Sequence, residues 1–157
     1  MPGSAAVVEA LNEILTAELT AINQYFVHSK LCESWGFGAL AAHNRAESID
    51  EMRDADRVID RILFLGGLPN LQRIGSVAIG ETVPEQFEVD LALEREAIER
   101  YNAAIALAVA ESDNGTRELL EQLLVGEETH ADWLQTQLEL IERIGVQNYL
   151  ASQLGGG

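Results

Sequence analysis

Leu120-Glu121-Gln122-Leu123-Leu124-Val125-Gly126-Glu127-Glu128-Thr129-His130-Ala131-Asp132-Trp133-Leu134 is the stretch on which the fold turns. Leu120, Leu123, Glu127, His130 and Leu134 step by three and four residues, so on a helix they share one face, and Ile141 extends it. That face is apolar except for a carboxylate and an imidazole one turn apart. A lone acid in such a stripe is commonly a boundary residue, its stem buried and its head in water. If it is truly inside, it must be paired with a cation or take up a proton.

The same anomaly recurs in three more helical stretches. The first carries Ile14, Glu18, Ile22 and Tyr25 on one face; the third carries Leu91, Glu94, Ile98, Tyr101 and Ile105. The second has Glu51, Asp54, Val58 and Ile62. The boundary reading suits any one of these, Glu94 included, but four helices each offering an acid near one level is a different matter. Hard oxygen donors with an imidazole suit iron or manganese and argue against a thiolate site. Five carboxylates would overcharge a single divalent ion, so the pattern points to two metals.

Helical patterning spans about residues 5–33, 39–65, 83–111 and 116–144, with a short helix at 147–153, all within one domain of residues 1–157. Gly36 and Gly38 break the first from the second, and Gly66-Gly67-Leu68-Pro69-Asn70 terminates the second. Pro84 suits a first turn, and Ser112-Asp113-Asn114-Gly115 makes the next corner. The short links predict two antiparallel hairpins. The long second-to-third link can travel the length of a bundle, although a long unstructured loop would give the same spacing. The expected fold is all-α, a four-helix bundle with a long crossover between helices 2 and 3 and a short fifth helix. The Gly155–Gly157 tail is expected to fray.

With 26 acidic against 10 basic residues, a formal charge of −16, the chain lacks the clustered cations that nucleic acid demands. The lone cysteine, Cys32, cannot form an internal disulfide and reads as a half-buried filler. Met1-Pro2-Gly3-Ser4 has no basic n-region and no long apolar run, so neither leader nor membrane anchor is expected, and the cytoplasm is the default. Met52 directly follows Glu51 and so points about 100° away from it. It joins a second stripe, Ile49, Met52, Ile59 and Leu63, which predicts burial against another subunit with Met52 as an adaptable filler.

One acid from each of two helices plus Glu-x-x-His from each of the other two is the pattern of ferritin-like bundles, and this chain fits five of its six positions. Longer segments carry a closer resemblance: Leu19-Thr20-Ala21-Ile22-Asn23-Gln24-Tyr25-Phe26, Glu47-Ser48-Ile49-Asp50-Glu51-Met52, Gly67-Leu68-Pro69-Asn70-Leu71-Gln72, Asp90-Leu91-Ala92-Leu93-Glu94 and Gln147-Asn148-Tyr149-Leu150. The chain resembles bacterioferritins over nearly its whole length. That resemblance implies iron storage with ferroxidase activity, Fe(II) being oxidised by dioxygen or peroxide at an intrasubunit centre of two iron ions. Glu18, Glu51, Glu94, Glu127 and His130 would be its ligands, Glu51 and Glu127 bridging, Glu18 and Glu94 each capping one iron. The resemblance further implies a hollow shell of twenty-four subunits and a haem b shared between two of them. Met52 would be the axial ligand of that haem and Leu19, Ile22, Asn23 and Phe26 its pocket, with a ferredoxin-type protein as electron donor for iron release.

The chain departs from the family at Asp54, where a histidine usually completes the second Glu-x-x-His. His43 lies more than two turns from Asp54, and His28 is ten residues beyond Glu18, off its face, so neither is expected to substitute. Ala46 replaces a histidine that serves an inner-surface iron site in some relatives, although Asp50 remains. A haem-binding shell subunit with an impaired centre, co-assembled with an active paralogue, is therefore the alternative function. A small oxidase unconnected to storage fits Met52 less well, and a DNA-protecting mini-ferritin would lack the intrasubunit Glu-x-x-His.

Overall fold

A computed structural model describes residues 2–155; Met1, Gly156 and Gly157 lie outside the described residues, and with them most of the tail expected to fray. Among the described residues five helices follow in order: α1 Ala5–Ser34, α2 Gly38–Phe64, α3 Val83–Ala110, α4 Asn114–Ile144 and α5 Val146–Ala151. The ends are set by local chemistry. Ser4 and Thr82 accept from the backbone N–H groups of Val7 and Glu85, capping α1 and α3, and Pro84 sits in the first turn of α3. Asp113 caps α4 through Thr116, which starts that helix two residues earlier than the turn sequence suggests. Only Gly36 of the first glycine pair takes a left-handed φ, +86°, turning the chain, while Gly38 is already the first residue of α2. The fifth helix is shorter than expected, closing at Ala151.

Two apolar clusters fill the bundle. One gathers Leu11, Leu15, Val58, Ile62, Tyr101, Leu120 and Leu123; the other gathers Cys32, Leu40, Phe87, Leu91, Leu134 and Tyr149. Along α1 and α4 the chain passes from the first cluster to the second, and along α2 and α3 it passes back. The helices therefore run as two antiparallel hairpins whose joining crossover travels the bundle's length, the ferritin-like arrangement. Between the clusters each of α1 to α4 contributes polar residues to one layer. Cys32 is wholly buried rather than half-buried, donating to Gln86 Oε1 at 3.2 Å, and burial pushes its thiol up to about 11.

The crossover is not loose. Asn12 of α1 donates to the Leu68 carbonyl and accepts from the Asn70 N–H. Further along the same helix face, Thr20 accepts from Gly75 N, Gln24 from Ala78 N and His28 Nε2 from Gly80 N. Residues four or eight apart share a helix face, so one polar stripe on α1 satisfies successive backbone donors of the passing chain. His28 also donates from Nδ1 to Asp90 on α3, which accepts from Gln24 at 2.7 Å. His28 thus ties α1, the crossover and α3 together.

Candidate metal centre

The layer between the apolar clusters holds Glu18 from α1, Glu51 from α2, Glu94 from α3, and Glu127 and His130 from α4, all buried. All five side chains expected at the centre are brought together. Ligand atoms of Glu51, Glu94 and Glu127 lie within 4.8 Å of one another, as do those of Glu18, Glu51 and Asp54, so Glu51 belongs to both groups. His130 Nδ1 is 2.9 Å from Glu94 Oε1. Two tyrosines from the same apolar stripes brace the acids: Tyr25 donates to Glu94 and Tyr101 to Glu18. Sequence periodicity placed these rings in the core but gave no sign of what their hydroxyls do.

Two carboxylate oxygens, Glu18 Oε2 and Glu94 Oε2, are buried without a hydrogen-bond partner. Such orphaned acceptors are costly in a folded protein and mark a place built for something else to bind. A cavity of about 20 Å³ opens among Glu18, Glu51, Glu94 and Glu127, room for a water-sized species. Burial drives the Glu18, Glu51 and Glu127 carboxyls well above the usual range, helped by their mutual repulsion, and raises Glu94 for the same first reason. The four acids therefore hold protons readily, and a bound cation would displace them.

Asp54 is half-buried, and burial followed by the neighbouring Glu127 lifts it to about 7 against the opposing pull of Arg57. It lies within reach of the group, on the side of Glu18 and Glu51. His43 was not expected to substitute, since it lies more than two turns from Asp54, and periodicity gave Glu47 no role. The structure places them on the opposite side, beside His130, with ligand atoms of all three within 4.8 Å. Burial, then the adjacent His130, hold His43 down at about 4, so its ring is neutral. Ala46 and Asp50 are exposed, and Asp50 pairs with Arg53.

Residues 8–144 match the Ferritin-like domain family. Over 151 residues, 96% of this chain and 95% of the relative, the sequence is 54% identical to the bacterioferritin of Mycolicibacterium paratuberculosis. The chain belongs to the bacterioferritin family. Bacterioferritins of Streptomyces coelicolor and Rhodobacter capsulatus are 49% and 45% identical, covering 97% and 95% of this chain and 91% and 92% of their own lengths.

A second feature of this bacterioferritin family member lies outside the bundle. Met52 is 56% exposed, Phe26 is 47% exposed, and Ile49 and Leu63 are exposed with them. Leu19 and Ile22 are half-buried behind the patch, and Asn23 is exposed with its amide bonded to the Leu19 carbonyl. An accessible thioether amid aliphatic and aromatic side chains suits haem, whose iron takes sulfur ligands and whose faces need apolar cover. Among the described residues, no helix is long and apolar enough to cross a membrane.

Proposed function

We propose that this chain oxidises and stores iron, binding Fe(II) as substrate at the four-glutamate layer and passing ferric product into the interior of a shell of twenty-four subunits. The observation that carries this reading is the pair of unpartnered, buried oxygens on Glu18 and Glu94, set among Glu51, Glu127 and His130. Glu51 belongs to both ligand groups, which supports a bridging role for it, with Glu127 beside it. Tyr25 and Tyr101 fix the orientation of Glu94 and Glu18, so the acids are presented rather than free to swing. Binding of Fe(II) releases the protons that burial holds on the acids, and each ion then yields one electron to dioxygen or peroxide.

Met52, with Leu19, Ile22, Asn23 and Phe26, would hold a haem b at a two-fold contact, where a second copy offers the same thioether. The haem supplies a one-electron carrier between a ferredoxin-type donor and the stored mineral. A cytoplasmic setting suits the lone reduced cysteine. Asp54, half-buried and raised to about 7, supports the alternative of a haem-bearing shell subunit with a weakened centre that co-assembles with an active paralogue. Its carboxylate falls within ligand range of Glu18 and Glu51, which favours the active reading.

Anaerobic Fe(II) titration of the apoprotein tests the choice. Saturation at two ions per chain is expected. Failure to bind Fe(II) at all would leave the chain with the shell-subunit role.

A further inference from the structure

We propose that His43, Glu47 and His130 form a third divalent-cation position, adjoining the four-glutamate layer on the side away from Asp54. It rests on the proposed metal centre in drawing on His130, whose Nδ1 lies 2.9 Å from Glu94 Oε1 and 3.5 Å from Glu47 and so ligates one ion at a time; with this position filled, the layer's ions are held by carboxylates alone. The three side chains bring one ligand atom each within 4.8 Å of the others, a spread that one first-row ion can span. Glu47 is the link: one oxygen lies 3.8 Å from His43 Nε2 and the other 3.5 Å from His130 Nδ1. These separations are too long for hydrogen bonds and suit donors converging on an ion between them.

A second, independent observation points the same way. His43 Nε2 is buried and has no hydrogen-bond partner, although a carboxylate stands nearby. The ring is not loose, because it stacks on Trp133 of α4 with centroids 3.5 Å apart and an interplanar angle of 16°. Trp133 in turn packs edge-on against Phe87. A rigid imidazole with an unused nitrogen aimed at a glutamate is a prearranged ligand. The side chains of His43 and Glu47 keep 25% and 21% of their exposure while His130 keeps 4%, so the position opens outward from the buried layer.

The donor set decides the class of ion. Two imidazoles and one carboxylate favour borderline transition ions such as Fe(II), Co(II) or Zn(II) over Mg(II) or Ca(II), which prefer all-oxygen cages. Asp54 makes one side of the layer all-carboxylate, and His43 with His130 makes the other side imidazole-rich. A cation arriving from the surface meets the nitrogen donors before the buried acids.

Co(II) binding to the metal-free protein provides the test, read by equilibrium dialysis and visible absorption. His43→Phe retains an aromatic ring against Trp133, and Glu47→Gln retains shape. Both are expected to bind one Co(II) fewer per chain than the unmodified protein and to lose the intense band of a low-coordinate, imidazole-ligated cobalt. Glu127→Ala should also lose cobalt but keep that band. Equal stoichiometry and unchanged spectra in both His43→Phe and Glu47→Gln would overturn the third position while leaving the glutamate layer intact. Cobalt binding that is indifferent to Glu127→Ala, yet sensitive to His43→Phe, would instead overturn the layer and retain the third position.

Discussion

Asp54 stands one helical turn beyond Glu51, and their carboxylates come close enough to share an ion with Glu18, all three ligand atoms falling within 4.8 Å. Asp54 differs from an imidazole in charge and in proton affinity, since burial lifts it to about 7. Metal-free Asp54 is then about half protonated near neutrality, and a cation held there would have to displace that proton.

Asp54→His is expected to speed repeated rounds of Fe(II) oxidation below pH 7, by roughly tenfold if the change acts as ligand-environment substitutions usually do. Rapid-mixing kinetics on both forms at pH 6 and pH 8 check it. A histidine variant no faster at either pH would show Asp54 to be a competent ligand as it stands.

Glu127→Ala should abolish fast Fe(II) oxidation while leaving helix content and assembly intact, measured by stopped-flow absorbance and light scattering. Glu127→Gln, which keeps volume, should raise the melting temperature of the metal-free protein near neutral pH, because one source of carboxylate repulsion disappears. Loss of stability in the glutamine variant would contradict the picture of a strained, ion-seeking layer.

The raised acids set the pH dependence of the metal-free protein. Their folded pKa values exceed the unfolded ones, so the folded state holds more protons and stability falls as pH rises above the unfolded value of about 4.3. Melting in the presence of chelator should therefore drop steadily from pH 5 to pH 8. Zn(II) should flatten that decline, since the ion replaces the protons. A chelated protein equally stable across this range would show that the four glutamates ionise freely.

Met52→Leu preserves size and apolar character but removes the sulfur. The purified variant should lack haem absorbance and release iron slowly under reduction, with oxidation little changed. Full haem content would reduce Met52 to an interface residue.

His28→Leu should destabilise the fold by about 3 kcal/mol, because buried Asp90 loses its imidazole donor. Gly80 N would lose its acceptor as well. Denaturant melts measure the loss, and amide exchange at Gly80 and Ala78 should accelerate. Unaltered exchange there would mean that the crossover is held by other contacts.

The fold was legible because four stripes of three-and-four spacing and unequal links leave few topologies, and the acids at Glu18, Glu51, Glu94 and Glu127 interrupt those stripes at one level. Periodicity sees one helix at a time, which is why His43 and Glu47 escaped it. Their meeting with His130 depends on how α2 lies against α4, a relation that no spacing within α2 encodes. His28 was correctly kept off the face of Glu18, but its tie to Asp90 and Gly80 again crosses between elements. The crossover's order was invisible for a simpler reason: its own residues carry little pattern, and its partners lie on α1.

Long surface loops ordinarily tolerate inserted residues, since closure entropy grows slowly with length. The segment from Leu68 to Gly80 should not, because Asn12, Thr20, Gln24 and His28 meet its backbone at fixed intervals. Like a strand in a sheet, it has a register, read out by a helix instead of another strand. One residue added between Gly75 and Ala78 would offset every later pairing, carry Gly80 past His28, and delay the start of α3 relative to the layer that Glu94 must enter. A connection that looks like spare length thus acts as a ruler for the second half of the molecule.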